Sequence, residues 1–196
     1  MKNKINFFTL LNLIVFGALL FIISCSTQKD TLPNRTYHQL NTKYNALFYA
    51  EQYLKEGVKK VSALHQENYK SILTINKYGS LKDAQSAQAS LDQAIEKSKT
   101  AIQQHSMEIR GDEKNKLINK NYMIIGQAQF YKHDYVAAIN TFNYLVRKSI
   151  DEELQSEALL WATRCHQELN NTETLRQNIT LLEEDYFLSN KQDIIF

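Results

Sequence analysis

The sequence predicts an all-α fold of paired helices behind a cleaved signal peptide. Three observations carry that expectation. Beyond Gly17 the chain keeps four glycines and one proline, and a β-rich domain of this length needs many more turn formers. Apolar residues return every three or four positions along long stretches, the spacing of one helix face. Residues 1–24 have the layout of an export signal, with Lys2 and Lys4 ahead of an apolar run over 13–23 that is too short to span a bilayer.

That signal ends in Ile22-Ile23-Ser24-Cys25, the pattern of a bacterial lipobox. Cleavage before Cys25 makes it the mature N-terminus, acylated on its sulfur and its amine. Each buried methylene contributes about 0.8 kcal/mol, so several chains on one residue hold a protein at a membrane where one myristoyl group is marginal. The alternatives are an uncleaved anchor and a plain signal peptide with a chance cysteine. Residues 25–33 are then a tether, attached by its lipid to the membrane.

Removal of Lys2 and Lys4 leaves 21 basic residues against 21 acidic ones. The charges are interspersed, as in Glu96-Lys97-Ser98-Lys99, and offer no basic patch for phosphates, so no nucleic-acid partner is expected. With Cys25 acylated, Cys165 has no second cysteine for an intramolecular disulfide. Stability must come from helix packing.

Each helix has its own start signal. Pro33 suits the first turn of a helix running to about Leu64, and residues 69–78 read as a connection. Gly79-Ser80 opens a long amphipathic helix over 80–110, with Leu81, Ala84, Leu91, Ala94, Ile95, Ala101, Ile102 and Ile109 at helical spacing and Gly111 as its stop. Asp112, Asp134, Asp151 and Thr172 are the expected caps of four further helices, the first three ending near Lys132, Arg147 and Leu169. The mature chain thus divides into a long-helix region, 34–111, and two helix pairs over 112–196.

The helix pairs carry a repeat signature. Tyr122-x-x-Ile125-Gly126, followed by Tyr135-x-x-Ala138-x-x-x-Phe142, is the pattern of a tetratricopeptide repeat. Gly126 and Ala138 lack bulk and let two helices approach closely, while Tyr122, Ile125, Tyr135 and Phe142 fill the space around the crossing. A looser copy follows in Ala158-x-x-Trp161-Ala162-x-x-Cys165 and Leu175-x-x-x-Ile179-x-x-Leu182, with Ala162 falling 36 residues after Gly126. The expected architecture is a tetratricopeptide-like α-solenoid, with a plain helical bundle as the alternative.

Several stretches together resemble the SprE/PorW family, lipoproteins of Bacteroidetes associated with type IX secretion and gliding. They are Cys25-Ser26-Thr27, Lys43-Tyr44-Asn45-Ala46 with the pair Phe48-Tyr49, Leu54-Lys55-Glu56-Gly57, Tyr78-Gly79 and Ala94-Ile95-Glu96-Lys97. Further along come Ile102-Gln103-Gln104-His105-Ser106-Met107 and the run Gly126-Gln127-Ala128-Gln129-Phe130-Tyr131-Lys132. The resemblance implies a noncatalytic scaffold on the periplasmic side of the outer membrane, whose partners are protein components of the secretion machinery. Family members run several times longer, with many more repeats. Because solenoids need about three repeats and a polar terminal cap, the ending Asp193-Ile194-Ile195-Phe196 is expected to mark a fragment. Asp30-Thr31-Leu32 resembles the acceptor pattern of Bacteroidetes O-glycosylation and places Thr31 in the tether.

No catalytic or metal site is expected, and no cofactor. Cys165 and His166 are helix neighbours that point about 100° apart and cannot act as nucleophile and base by themselves. The histidines at 38, 65, 105, 133 and 166 lack metal-ligand spacing, and no paired cysteines support zinc. Binding is the better expectation, because stacked helix pairs leave a concave surface for a partner segment. Asn119, Met123, Gln127 and Phe130, on the first helix of the first pair, are the candidate face. A lipoprotein that binds peptide or glycan cargo is the alternative to a scaffold.

Overall fold

The computed structural model describes residues 27–65 and 78–186. The signal, Cys25, nearly all of the 69–78 connection and the Ile194-Ile195-Phe196 ending lie outside these described residues. Within them, α1 (Leu32–Asn41) starts with Pro33 in its first turn, where a missing N–H leaves no helical bond unmade. It runs without a break through a π-helical stretch, Thr42–Leu47, into α2 (Phe48–Leu64). At the start of that wide stretch the Thr42 hydroxyl donates to the His38 carbonyl at 2.8 Å.

α3 (Leu81–His105) opens on a reciprocal cap, in which Asp83 N–H donates to Ser80 Oγ and Ser80 N–H donates to Asp83 Oδ2. Its buried face is built of small residues, Ala84, Ala87, Ser90, Ala94, Ser98 and Ala101, with Leu91 among them. α2 can therefore lie close: a Cβ on Gly57 would come 2.6 Å from Leu91 Cδ2.

The chain departs from expectation between α3 and the next helix. α3 stops at His105, not near Arg110, and residues 108–113 form a small hairpin of β1 (Glu108–Ile109) and β2 (Asp112–Glu113). Arg110 and Gly111 make its turn with φ of 56° and 86°, the left-handed pair that a tight two-residue hairpin requires. Gly111 is thus a hairpin turn and no helix stop, and Asp112 caps nothing. Competition for backbone bonds explains the early end: the Glu113 carboxylate accepts from Met107 N–H, Ser106 Oγ and Asn115 N–H at 2.5–2.8 Å, and Met107 is wholly buried.

α4 (Leu117–Tyr131), α5 (Tyr135–Lys148), α6 (Glu152–Glu168) and α7 (Thr172–Tyr186) complete the described fold. Asp134 and Asp151 are the expected caps, accepting from Ala137 and Leu154 N–H. For α7 the capping contact comes from Asn171, whose Oδ1 accepts from Thr174 N–H, so Thr172 is the first helical residue and not the cap.

The two helix pairs turn in the same way. Lys132, His133 and Asp134 N–H donate to the carbonyls of Ala128, Phe130 and Gln129, and 37 residues on Leu169, Asn170 and Asn171 repeat the set to Cys165, Gln167 and His166. His133 and Asn170, at the same place in each turn, both have positive φ. On this register Thr163 is the counterpart of Gly126, one residue beyond the Ala162 that the spacing of apolar residues suggested.

Two cores meet on α4. Ile124 and Ala128 pack with Leu47, Ala50, Val61, Ala87, Leu91 and Ala94, while Met123 and Phe130 pack with Ala138, Phe142, Leu145, Trp161 and Cys165. Nine of the fifteen α4 residues are buried, which makes it the central helix of an all-α fold whose sequence-adjacent helices pack on one another.

Candidate functional site

The residues expected at the helix crossings come together. A Cβ on Gly126 would lie 2.5 Å from Cε1 of the Phe142 ring, so glycine is what lets α4 and α5 close. Phe142 in turn stacks on Trp161, with ring centroids 6.0 Å apart and planes 17° from parallel. Ala138 and Ala162 are buried in the same cluster, and Ile125 is buried as well. The Tyr135 ring sits 5.4 Å from that of Phe130, and the Tyr122 ring 4.5 Å from that of Tyr144. Burial, with a smaller contribution from Tyr144, pushes the Tyr122 phenol up to about 12.

The candidate binding face is corrected in part. Phe130 is 1% exposed, held among Tyr78, Tyr135 and Trp161, because it faces the core that α4 shares with α5 and α6. Asn119 is also buried and donates to Ser149 Oγ at 3.4 Å. Neither is free for a partner. Met123 is largely buried, but it lines a groove together with the half-buried Gln127.

That groove, of about 450 Å³, crosses three helices. α2 contributes Glu51, Leu54, Lys55 and Val58; α4 contributes Lys120, Met123, Ile124 and Gln127; α6 adds Leu154 and Glu157. Its floor is apolar and its rim carries two acids and two lysines, none of which forms an ion pair among the described residues. Apolar depth with unpaired charge at the edge is the chemistry of a peptide-binding groove. The α2 side escaped sequence reasoning, since nothing in the local pattern of residues 51–58 says which helix they will face.

Nucleophilic chemistry has no support at Cys165. The thiol is wholly buried, and burial pushes it up to about 12, far from the thiolate that attack requires. Among the described residues no group of three or more His, Cys, Asp or Glu is placed to hold a metal ion.

A polar junction lies at the other end of the long helices. His38 Nδ1 is 3.1 Å from His105 Nδ1, and the buried His38 Nε2 has no hydrogen-bond partner among the described residues. Burial lowers both imidazoles below their ordinary value; Glu113 opposes this at His38, and the nearby His38 adds to it at His105. Burial also lowers His166. With folded values depressed, the unfolded chain binds more protons, so stability present above about pH 6.5 is lost as pH falls through the folded values. The urea midpoint is expected to drop between about pH 7.5 and about pH 5, and to drop less in His38→Gln. An unchanged midpoint in the wild type would contradict this.

Among the described residues no helix is long and apolar enough to cross a membrane. The sequence matches no protein-family model, and no curated protein matches it.

Proposed function

We propose that this chain is a noncatalytic scaffold lipoprotein, tethered through Cys25 to the periplasmic side of the outer membrane, which supports type IX secretion and gliding motility by binding protein components of that machinery. The observation that carries the binding role is the groove over α2, α4 and α6, with Met123 and Gln127 inside it and Glu51, Lys55, Lys120 and Glu157 around it. The secretion assignment rests on the resemblance of residues 25–132 to the SprE/PorW family. The tetratricopeptide character of α4–α7 belongs to the same proposal, supported by the Gly126–Phe142 contact and the repeated turns.

Affinity purification from membranes of a Bacteroidetes host tests it, comparing the tagged chain with Cys25→Ala and with Met123→Glu/Gln127→Lys. The unsubstituted chain should recover secretion components from the membrane fraction. Cys25→Ala should leave that fraction, and the groove variant should stay in it but lose the partners. Full partner recovery by a folded groove variant would refute the groove. A lipoprotein subunit for peptide or glycan cargo would instead show saturable affinity for a soluble ligand and bring no envelope component with it.

A further inference from the structure

One surface is left over by the groove. Tyr37, Leu40, Tyr44 and Phe48 are 47–63% exposed, and Leu32 and Tyr49 flank them at 80% and 48%. Their spacing of three, four and four residues keeps the central four on one side of α1, the π-helical stretch and the start of α2. The opposite side of the same run, His38, Thr42, Leu47 and Ala50, is the buried one. The run therefore packs one side inward through a mixture of polar and apolar residues and still carries large apolar side chains outward.

We infer that this outward stripe lies on the lipid surface to which Cys25 is anchored, as an interfacial helix whose tyrosines sit at the level of the headgroups. The inference rests on the tether proposed above and adds to it a second, peptide-borne membrane contact.

Three features select a bilayer as the occupant. The first is reach: only six residues, 26–31, separate Cys25 from Leu32, so the stripe begins within about 25 Å of the acylated residue even with the tether fully extended. The second is charge. Residues 31–50 contain Arg35 and Lys43 but no Asp or Glu; Arg35 is ion-paired with Asp30, which leaves Lys43 as the cation this stretch offers to phosphate headgroups. Lys43 Nζ stands 5.1 Å from the Tyr44 ring centroid, at the edge of the stripe. The third is composition: three tyrosines with Leu40 and Phe48 join apolar bodies to polar tips, the mixture enriched where hydrocarbon meets water. A lone acyl-anchored residue leaves a domain free to swing, whereas two contacts fix which side faces the periplasm.

The test uses the full precursor, expressed in a Bacteroidetes host, purified as the mature protein and reconstituted into vesicles of phosphatidylethanolamine and phosphatidylglycerol. Tyr44→Cys, Phe48→Cys and, as control, Ile150→Cys carry nitroxides; Ile150 is 75% exposed and far along the chain, and the wholly buried Cys165 stays unlabelled. On vesicles the labels at 44 and 48 should collide several-fold more with oxygen and several-fold less with a water-soluble nickel chelate, while the label at 150 is unchanged. Labels at 44 and 48 that stay as open to nickel as the control would overturn the inference. Labels closed to both reagents would overturn it too, because a protein, a second copy included, would then cover the stripe. Hydroxyl-radical footprinting of the unsubstituted chain reads the same surface without a substitution, with Tyr44 and Phe48 protected on vesicles and Ile150 not. The mass of the N-terminal peptide is decided separately: an unacylated Cys25 removes the tether and this inference together, whereas an acylated Cys25 with water-exposed labels removes the inference alone.

Discussion

Replacing Phe142 by alanine should destabilise the protein by about 3–5 kcal/mol. The ring is wholly buried, lies under the one α4 position that has no side chain and stacks on Trp161. Its removal opens a cavity where α4, α5 and α6 meet, and the stiff aromatic neighbours cannot collapse to fill it. Gly126→Ala works from the other side. The new Cβ would meet the ring at 2.5 Å, and the overpacking should cost about 1–3 kcal/mol. If the ring is the cause of the clash, the two substitutions couple: Gly126→Ala should cost less, or nothing, in a Phe142→Ala background. Urea midpoints with unchanged slopes measure the whole cycle. Strict additivity would show that Gly126 matters for some reason other than this contact.

Much of this arrangement was legible in local sequence, and the limits are physical. The pattern Tyr122, Gly126, Ala138, Phe142 could be read because a close helix crossing leaves a requirement, one missing side chain opposite one large ring, that both helices record in their own sequence. The caps at Ser80, Asp134 and Asp151 were readable for the same reason, as each involves residues three apart. The end of α3 was not. Residues 106–111 continue with nothing that forbids a helix, and the helix loses only because Glu113, further along, gathers the N–H groups of Met107 and Asn115. Phe130 and Asn119 were placed on a free face because a helix of a pair normally keeps one. Instead Phe130 packs into the core shared with α5 and α6, and Asn119 bonds Ser149 at the end of α5, contacts set by packing between distant parts of the chain. Leu54, Lys55 and Val58 became groove residues through that same long-range packing. The exposed stripe over 37–48 stood in plain view, but its exposure becomes visible only once α1 and α2 are known to bury the opposite side.

Asn115→Ala should destabilise by about 2–3 kcal/mol, although it deletes no apolar contact of any size. The side chain is wholly buried and holds three elements at once. Its Nδ2 donates to Thr42 Oγ1 at 2.9 Å in the π-helical stretch and to the His105 carbonyl at 3.0 Å at the end of α3, while Oδ1 accepts from Leu117 N–H at the start of α4. Alanine leaves the His105 carbonyl and the Leu117 N–H without these partners, and a buried polar group with no bond loses the full value of its solvation. Asn115→Asp separates the two halves of the effect. The carboxylate can still accept from Leu117 N–H but cannot donate to Thr42 or His105, and it brings negative charge beside Glu113, so it should be no more stable than alanine. Hydrogen exchange identifies the mechanism: the Leu117 amide should exchange faster in the alanine variant and remain slow in the aspartate variant. A thermal midpoint within a degree of wild type for both would mean that the junction is held by its apolar surroundings instead. The expected loss would show that one asparagine ties the π-helical stretch, the end of α3 and the start of α4 together.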